Sequence, residues 1–190
     1  MIIFPVINPI IANYINLEYL MNMKNTLLIG TLSGFIVGVL FIYIQPLFGM
    51  SPLTGRHAAA YTKLSDIGPS TALVIAWVAH LLVSVGYGIA TGLALHFSNI
   101  ISNTTSKKLL TFALQIFALG WFTTVIAGPA NQLIVRLITS NGIPSLAGLP
   151  PLNFNFDAKL VLHLIFFVVI GLFLLGYSRI NNVKNISQAA

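Results

Sequence analysis

Charge is what this sequence has least of. Its 190 residues include nine Lys or Arg and three Asp or Glu, so that 6% are charged, against roughly 25% in an ordinary soluble domain. That is too little charge to cover the surface of a soluble fold. Cysteine is absent, which excludes disulfides, thiolate metal sites, iron–sulfur clusters and cysteine nucleophiles. The acids are Glu18, Asp66 and Asp157. A di-metal carboxylate centre draws about four carboxylates from a bundle, so one copy of this chain cannot build it. The net charge of +6 reflects the shortage of acids and not a concentrated basic patch. No nucleic-acid partner is expected.

What is present is apolar. Hydrophobic residues make up 57% of the chain, and the mean hydropathy is +0.93. Asp, Glu, Lys and Arg are missing from residues 25–55, 67–106, 109–135 and 160–178. A membrane-spanning helix needs about 20 mostly apolar residues. The pattern therefore predicts spans at 26–44, 71–96, 109–127 and 158–177. The expected fold is all-α, a polytopic membrane protein built as a four-transmembrane-helix bundle. It occupies residues 26–178 as one domain, followed by a short polar C-terminal tail at 179–190.

Residues 1–25 read as an apolar, interfacial N-terminal segment. Pro5 and Pro9 break it, and a start at Met21 or Met23 is the alternative. The connections at 45–70 and 128–157 are expected as long outer loops rich in Pro and Gly, with His57 a solvated loop residue. A short polar loop at 97–108 joins spans two and three, with His96 at the inner interface. Lys24, Lys107, Lys108, Arg179 and Lys184 fall on one side of this layout, and Arg56, Lys63, Arg136 and Lys159 on the other. Asp66 and Asp157 offset the second set. The positive-inside rule then places both termini in the cytoplasm.

Lipid is as apolar as leucine, so spans associate through close packing at small residues. Gly30, Gly34 and Gly38 form a double G-x-x-x-G ridge on span one, and Ser84, Gly88 and Gly92 repeat the spacing on span two. These ridges are expected to meet. The alternative is homodimerisation through span one. There is also a hint of a two-fold repeat: Gln45-Pro46 and Gly128-Pro129 each precede a loop of small residues, an acid and a span bearing His80 or His163.

Polar groups inside a membrane are costly and mark candidate sites. Trp77, His80, Ser84, Tyr87 and Thr91 share one face of span two. Trp121, Thr124, Gly128 and Asn131 share a face of span three, with Thr123 and Gln132 alongside, and His163 is the main interior polar group of span four. The expectation is an outward-facing polar pocket formed by His80, Ser84, Tyr87, Thr124, Asn131, Gln132 and His163. The simplest role for the histidines is a hydrogen bond to a neighbouring carbonyl or hydroxyl. The alternative is haem b with His80 and His163 as axial ligands. Pro129 removes a backbone donor and frees a carbonyl near Val125, so span three is expected to break there, ahead of Asn131, Gln132 and Arg136.

No zinc-type histidine spacing, nucleophile elbow, phosphate loop or dinucleotide fingerprint occurs. Ser84 lies one turn from His80 without an acid in reach. No catalytic residue and no metal site are expected.

The glycine-rich first span leads to Pro52 and Arg56. His80, Ser84 and Tyr87 lie in the second span, Pro129 ends the third, and Pro150 and Pro151 precede His163 in the fourth. Together these resemble the YagU family of small bacterial inner-membrane proteins. The resemblance spans most of residues 26–180 as spacing and residue type. It departs at 172–177, which is nearly apolar where the family carries a charged, Trp-rich end. It implies a fold and a location in the bacterial inner membrane, and no reaction. The expected function is thus that of a small non-enzymatic membrane protein with a polar pocket or an accessory-subunit role. Its expected partners are the lipid bilayer and, as alternatives, other membrane subunits or a second copy. The alternative functions are a haem b electron-transfer protein and a small dimeric transporter.

Overall fold

The computed structural model describes residues 23–64, 66–138 and 148–189. The apolar segment preceding Met23, with the alternative start at Met21, lies outside the described residues. So do residues 144–147 of the second loop in the suspected repeat. Among the described residues every element is helical: α1 (Met23–Ile44), a 3-10 turn (Gln45–Phe48), α2 (Leu53–Leu64), α3 (Pro69–Ile101), α4 (Thr105–Ile138) and α5 (Ala158–Ala189). Four of them, α1, α3, α4 and α5, are long and apolar enough to cross a membrane. The chain is a four-helix membrane bundle.

Local chemistry sets the ends of these helices. At Gln45–Phe48 the chain tightens into a 3-10 turn with proline at its start, closed by Gly49 at a left-handed φ of 69°, which glycine adopts without a Cβ penalty. Buried Gln45 accepts the Leu53 backbone N–H through Oε1 at 2.7 Å and so ties the end of α1 to the start of α2. Pro69 opens α3 after Gly68, a position where its missing N–H costs nothing. Asp157 caps α5: its Oδ1 accepts the N–H groups of Lys159 at 2.9 Å and Leu160 at 3.2 Å.

Consecutive spans are antiparallel. Gly30 lies against Gly88 and Gly92, and Gly38 against Ser84 and Leu81. Ser98 donates to Gln115 Oε1 at 3.1 Å, and the hydroxyls of Ser102 and Thr111 lie 3.1 Å apart. Gly120 meets Leu164, and Gly171 meets Ile116 and Phe112. α3 and α5 each touch the other three spans. The main core lies between the spans and includes Val37, Phe41, Leu95, Phe112, Ile116, Phe166, Phe167, Ile170 and Leu174. A smaller cluster at the other end joins Ala58 and Tyr61 of α2 to Ala72 and Ala76 of α3 and Val135 of α4.

Several boundaries differ from the sequence-based expectations. α4 does not break at Gly128-Pro129. It runs on to Ile138 with Pro129 inside it, because the carbonyl that proline orphans finds another donor, described below. Gln45-Pro46 ends α1 and Gly128-Pro129 does not end α4, so the two halves of the suspected repeat are built differently. The connection between the first two spans contains α2, whose buried Thr54, Ala58 and Tyr61 recur at helical spacing. His57 is therefore a half-buried helical residue and not a solvated loop residue. The loop expected at 97–108 shrinks to residues 102–104 between α3 and α4, and the C-terminal tail continues α5 as helix to Ala189.

Candidate functional site

The residues of the anticipated pocket distribute over two helix contacts, with Asn131 and Gln132 beyond the second. The first joins α1 and α3. A Cβ placed on Gly30 would lie 2.5 Å from the Gly88 carbonyl oxygen. One on Gly34 would collide with the Ser84 carbonyl, and one on Gly88 with that of Gly30. Backbone therefore touches backbone along this ridge, and Gly92 meets Thr26 near the start of α1. The α1 ridge is filled by α3 of the same chain, which leaves no room there for a second copy. His80 and Ser84 belong to this contact. His80 Nε2 lies 2.8 Å from the Gly38 carbonyl oxygen. A carbonyl can only accept, so Nε2 carries the proton. The Ser84 hydroxyl donates to the His80 carbonyl at 2.9 Å, and its side chain fills the space a Cβ on Gly38 would need.

The second contact joins α3, α4 and α5. The ring of Tyr87 packs on Phe167 at a centroid distance of 5.1 Å, on Phe166 at 5.8 Å and on His163 at 6.3 Å. The Tyr87 hydroxyl faces the Thr123 side chain across the α3–α4 contact. Thr123 donates to the Leu119 carbonyl at 2.8 Å, and Thr124 to that of Gly120 at 2.7 Å. These back-bonds satisfy the hydroxyls within α4. His163 Nδ1 lies 2.8 Å from the Lys159 carbonyl, so Nδ1 bears the proton and Nε2 keeps an acceptor lone pair. That nitrogen belongs to a half-buried imidazole beside the ring of Tyr87.

Beyond this contact α4 carries Pro129, Asn131 and Gln132, all half-buried. The segment leading into α5 crosses it there. Asn153 N–H donates to the Val125 carbonyl at 3.0 Å. Pro150 and Pro151 pass 3.6–3.7 Å from the position of a Cβ on Gly128. The rings of Phe154 and Trp121 lie 6.2 Å apart. Sequence reasoning found the freed carbonyl at Val125 but not its donor, which lies 28 residues along the chain and carries no sequence signal of its own.

His57 lies outside the spans. Burial first, then the neighbouring Arg56 charge, then His80, hold its imidazole below the ordinary range. Tyr61, fully buried in the same helix, has its phenol pushed up by burial.

The His80 and His163 pair does not fit a haem held between them. Axial ligands turn their ring nitrogens to one iron. His80 Nε2 is instead turned into the α1–α3 contact and bonded to Gly38, where glycine backbones leave no width for a macrocycle. Among the described residues no group of three or more His, Cys, Asp or Glu is placed to hold a metal ion. Comparisons with protein-family models, curated proteins and solved structures found no match.

Proposed function

We propose that this is a non-enzymatic integral membrane protein that binds a small, mostly apolar ligand carrying one hydrogen-bond donor. The site is built around His163, Tyr87, Thr123 and Thr124. One observation carries the reading: His163 commits Nδ1–H to Lys159 at 2.8 Å, which leaves Nε2 as an acceptor on a ring that packs beside Tyr87. Acceptors inside a membrane are costly and are kept where they serve a partner. The nearby threonine hydroxyls are engaged with their own helix, and Asp66 and Asp157 are the carboxylates of the described chain. A neutral donor on an apolar body suits this chemistry better than an ion does. The segment from Pro150 to Phe154 lies over α4 beside the site and would move to admit the ligand.

The end bearing Lys24, Lys107, Lys108 and Arg179 is assigned to the cytoplasm on the positive-inside rule, so the Pro150–Phe154 end faces outward. The resemblance to the YagU family supports the bacterial inner membrane as the location. The test uses indole and indene, which share a shape but differ in the N–H donor. Indole is expected to raise the melting temperature of the detergent-solubilised protein more than indene does, and His163→Phe to abolish the difference. Equal shifts from the two probes, or an undiminished indole shift in the variant, would sink the proposal.

A further inference from the structure

Among the described residues, charge is distributed unequally between the two ends of the bundle. Asp66 and Asp157, the described carboxylates, lie at the end that also holds Arg56, Lys63, Arg136 and Lys159. The opposite end gathers Lys24 at the start of α1, Lys107 and Lys108 in the first turn of α4, and Arg179 on α5. No carboxylate is described there. Lys107 and Lys108 sit at a helix N-terminus without an acid in its first turn, where the backbone dipole disfavours cations and favours anions.

The apolar residues beside these cations locate the bilayer boundary. Ile100 and Ile101 are 63% and 69% exposed, and Leu110 is 62% exposed. They flank the α3–α4 turn on both sides, and Leu110 lies within one turn of Lys107 and Lys108 on α4. Leu28 stands one turn from Lys24, and Ile180 directly follows Arg179; both are largely exposed. Outward-facing apolar side chains on all four spans belong among acyl chains. Lysine and arginine stems next to them carry their charges into the headgroup layer. Asn103, Thr104 and Ser106, all exposed, add hydrogen-bonding groups at the same level.

We propose that this end of the bundle is a binding surface for anionic phospholipid, with Lys107 and Lys108 at its centre. The occupant is a lipid and not a soluble anion, because the cations are continuous with exposed acyl-facing residues on every element that carries them. A basic residue at an anionic membrane surface favours it by about 1 kcal/mol, or about fivefold in binding.

The experiment offers the full-length protein in detergent an equimolar mixture of phosphatidylglycerol and phosphatidylcholine and reads bound lipid by native mass spectrometry. Phosphatidylglycerol is expected to be retained preferentially. Lys107→Gln with Lys108→Gln is expected to lower that preference by about 25-fold, or about fivefold for each residue. Arg179→Gln alone should give about a fivefold loss and provides an independent reading. Circular dichroism checks that the variants keep their helix. Glycerol 1-phosphate should not compete at the same phosphate concentration. Equal retention of the two lipids, an unchanged preference in the double variant, or full competition by glycerol 1-phosphate would each overturn the proposal.

Discussion

The backbone N–H of Asn153 donates to the carbonyl of Val125 at 3.0 Å. That carbonyl is the one whose helical donor Pro129 removes, four residues on. A proline inside a helix costs about 3 kcal/mol when nothing compensates. Here a distant stretch of backbone supplies the missing bond, and α4 passes through Pro129 to reach Ile138. The same bond fixes the entry to α5 and hence the level at which His163 enters the bundle.

This bond can be tested by exchanging its donor. Asn153→Pro removes the N–H and leaves a buried acceptor unmet, which costs roughly 1–3 kcal/mol. Asn153→Ala keeps the N–H and should cost much less, since it loses only the exposed contact from Asn153 Oδ1 to Asn155 N–H. Pro129→Ala should recover most of the loss in the Asn153→Pro background, because residue 129 then donates to Val125 in the ordinary helical way. Denaturant unfolding in micelles reads all three. A Pro129→Ala change that fails to rescue would mean that Val125 does not depend on Asn153.

Gly88 and Gly86 stand two residues apart on α3 and should respond oppositely to alanine. A Cβ on Gly88 collides with the Gly30 carbonyl, whereas one on Gly86 meets nothing within 4 Å. Gly88→Ala must force α1 away from α3 and should destabilise by about 1–3 kcal/mol. Gly86→Ala should be neutral or stabilising by up to about 1 kcal/mol through helix propensity. Thermal melts of the two variants, compared with wild type, check the contrast.

The spans were legible because long uncharged stretches have few alternatives: within a bilayer, backbone polar groups must be paired inside the segment. The glycine ridges were legible for a related reason, since only small residues let two backbones meet. α2 was missed because its buried Thr54, Ala58 and Tyr61 give a weak stripe in twelve residues, masked by the proline and glycine around it. The continuation of α4 is not legible from the sequence because Pro129 signals an interruption locally, whereas its remedy, the Asn153 N–H, is non-local. The division of His80 from His163 also depends on rotation about the helix axes. A shared face on α3 carries both His80 and Tyr87, yet one side of that face meets α1 and the other meets α5.

His80 offers a direct measure of a hydrogen bond between spans. Its Nε2–H bonds the Gly38 carbonyl at 2.8 Å, an oxygen on a regular helix that has a backbone donor of its own. His80→Phe should therefore cost modestly, about 0.6 kcal/mol and at most about 1.7. His80→Gln retains an N–H donor and should recover part of this. Unfolding of both variants in micelles checks the order. The proposed ligand site should be unaffected by His80→Phe, because His163 meets α3 through Tyr87.

His57 should make stability depend on pH. Burial, with the Arg56 and His80 charges behind it, holds the folded imidazole below the ordinary histidine value of 6.5. As pH falls below that value the unfolded chain takes up a proton that the folded chain resists, so the unfolded state binds more protons and stability falls with pH. The stabilising contribution is present above the unfolded pKa and is lost as pH drops through the folded one. Between about pH 7.5 and pH 5, wild type should lose more stability than His57→Gln, which cannot titrate. Arg56→Gln removes the second cause while leaving burial in place, so its loss should lie between those of wild type and His57→Gln. Melting temperatures of the three proteins across this range provide the measurement, and parallel curves for wild type and His57→Gln would show that His57 is not held neutral by the fold.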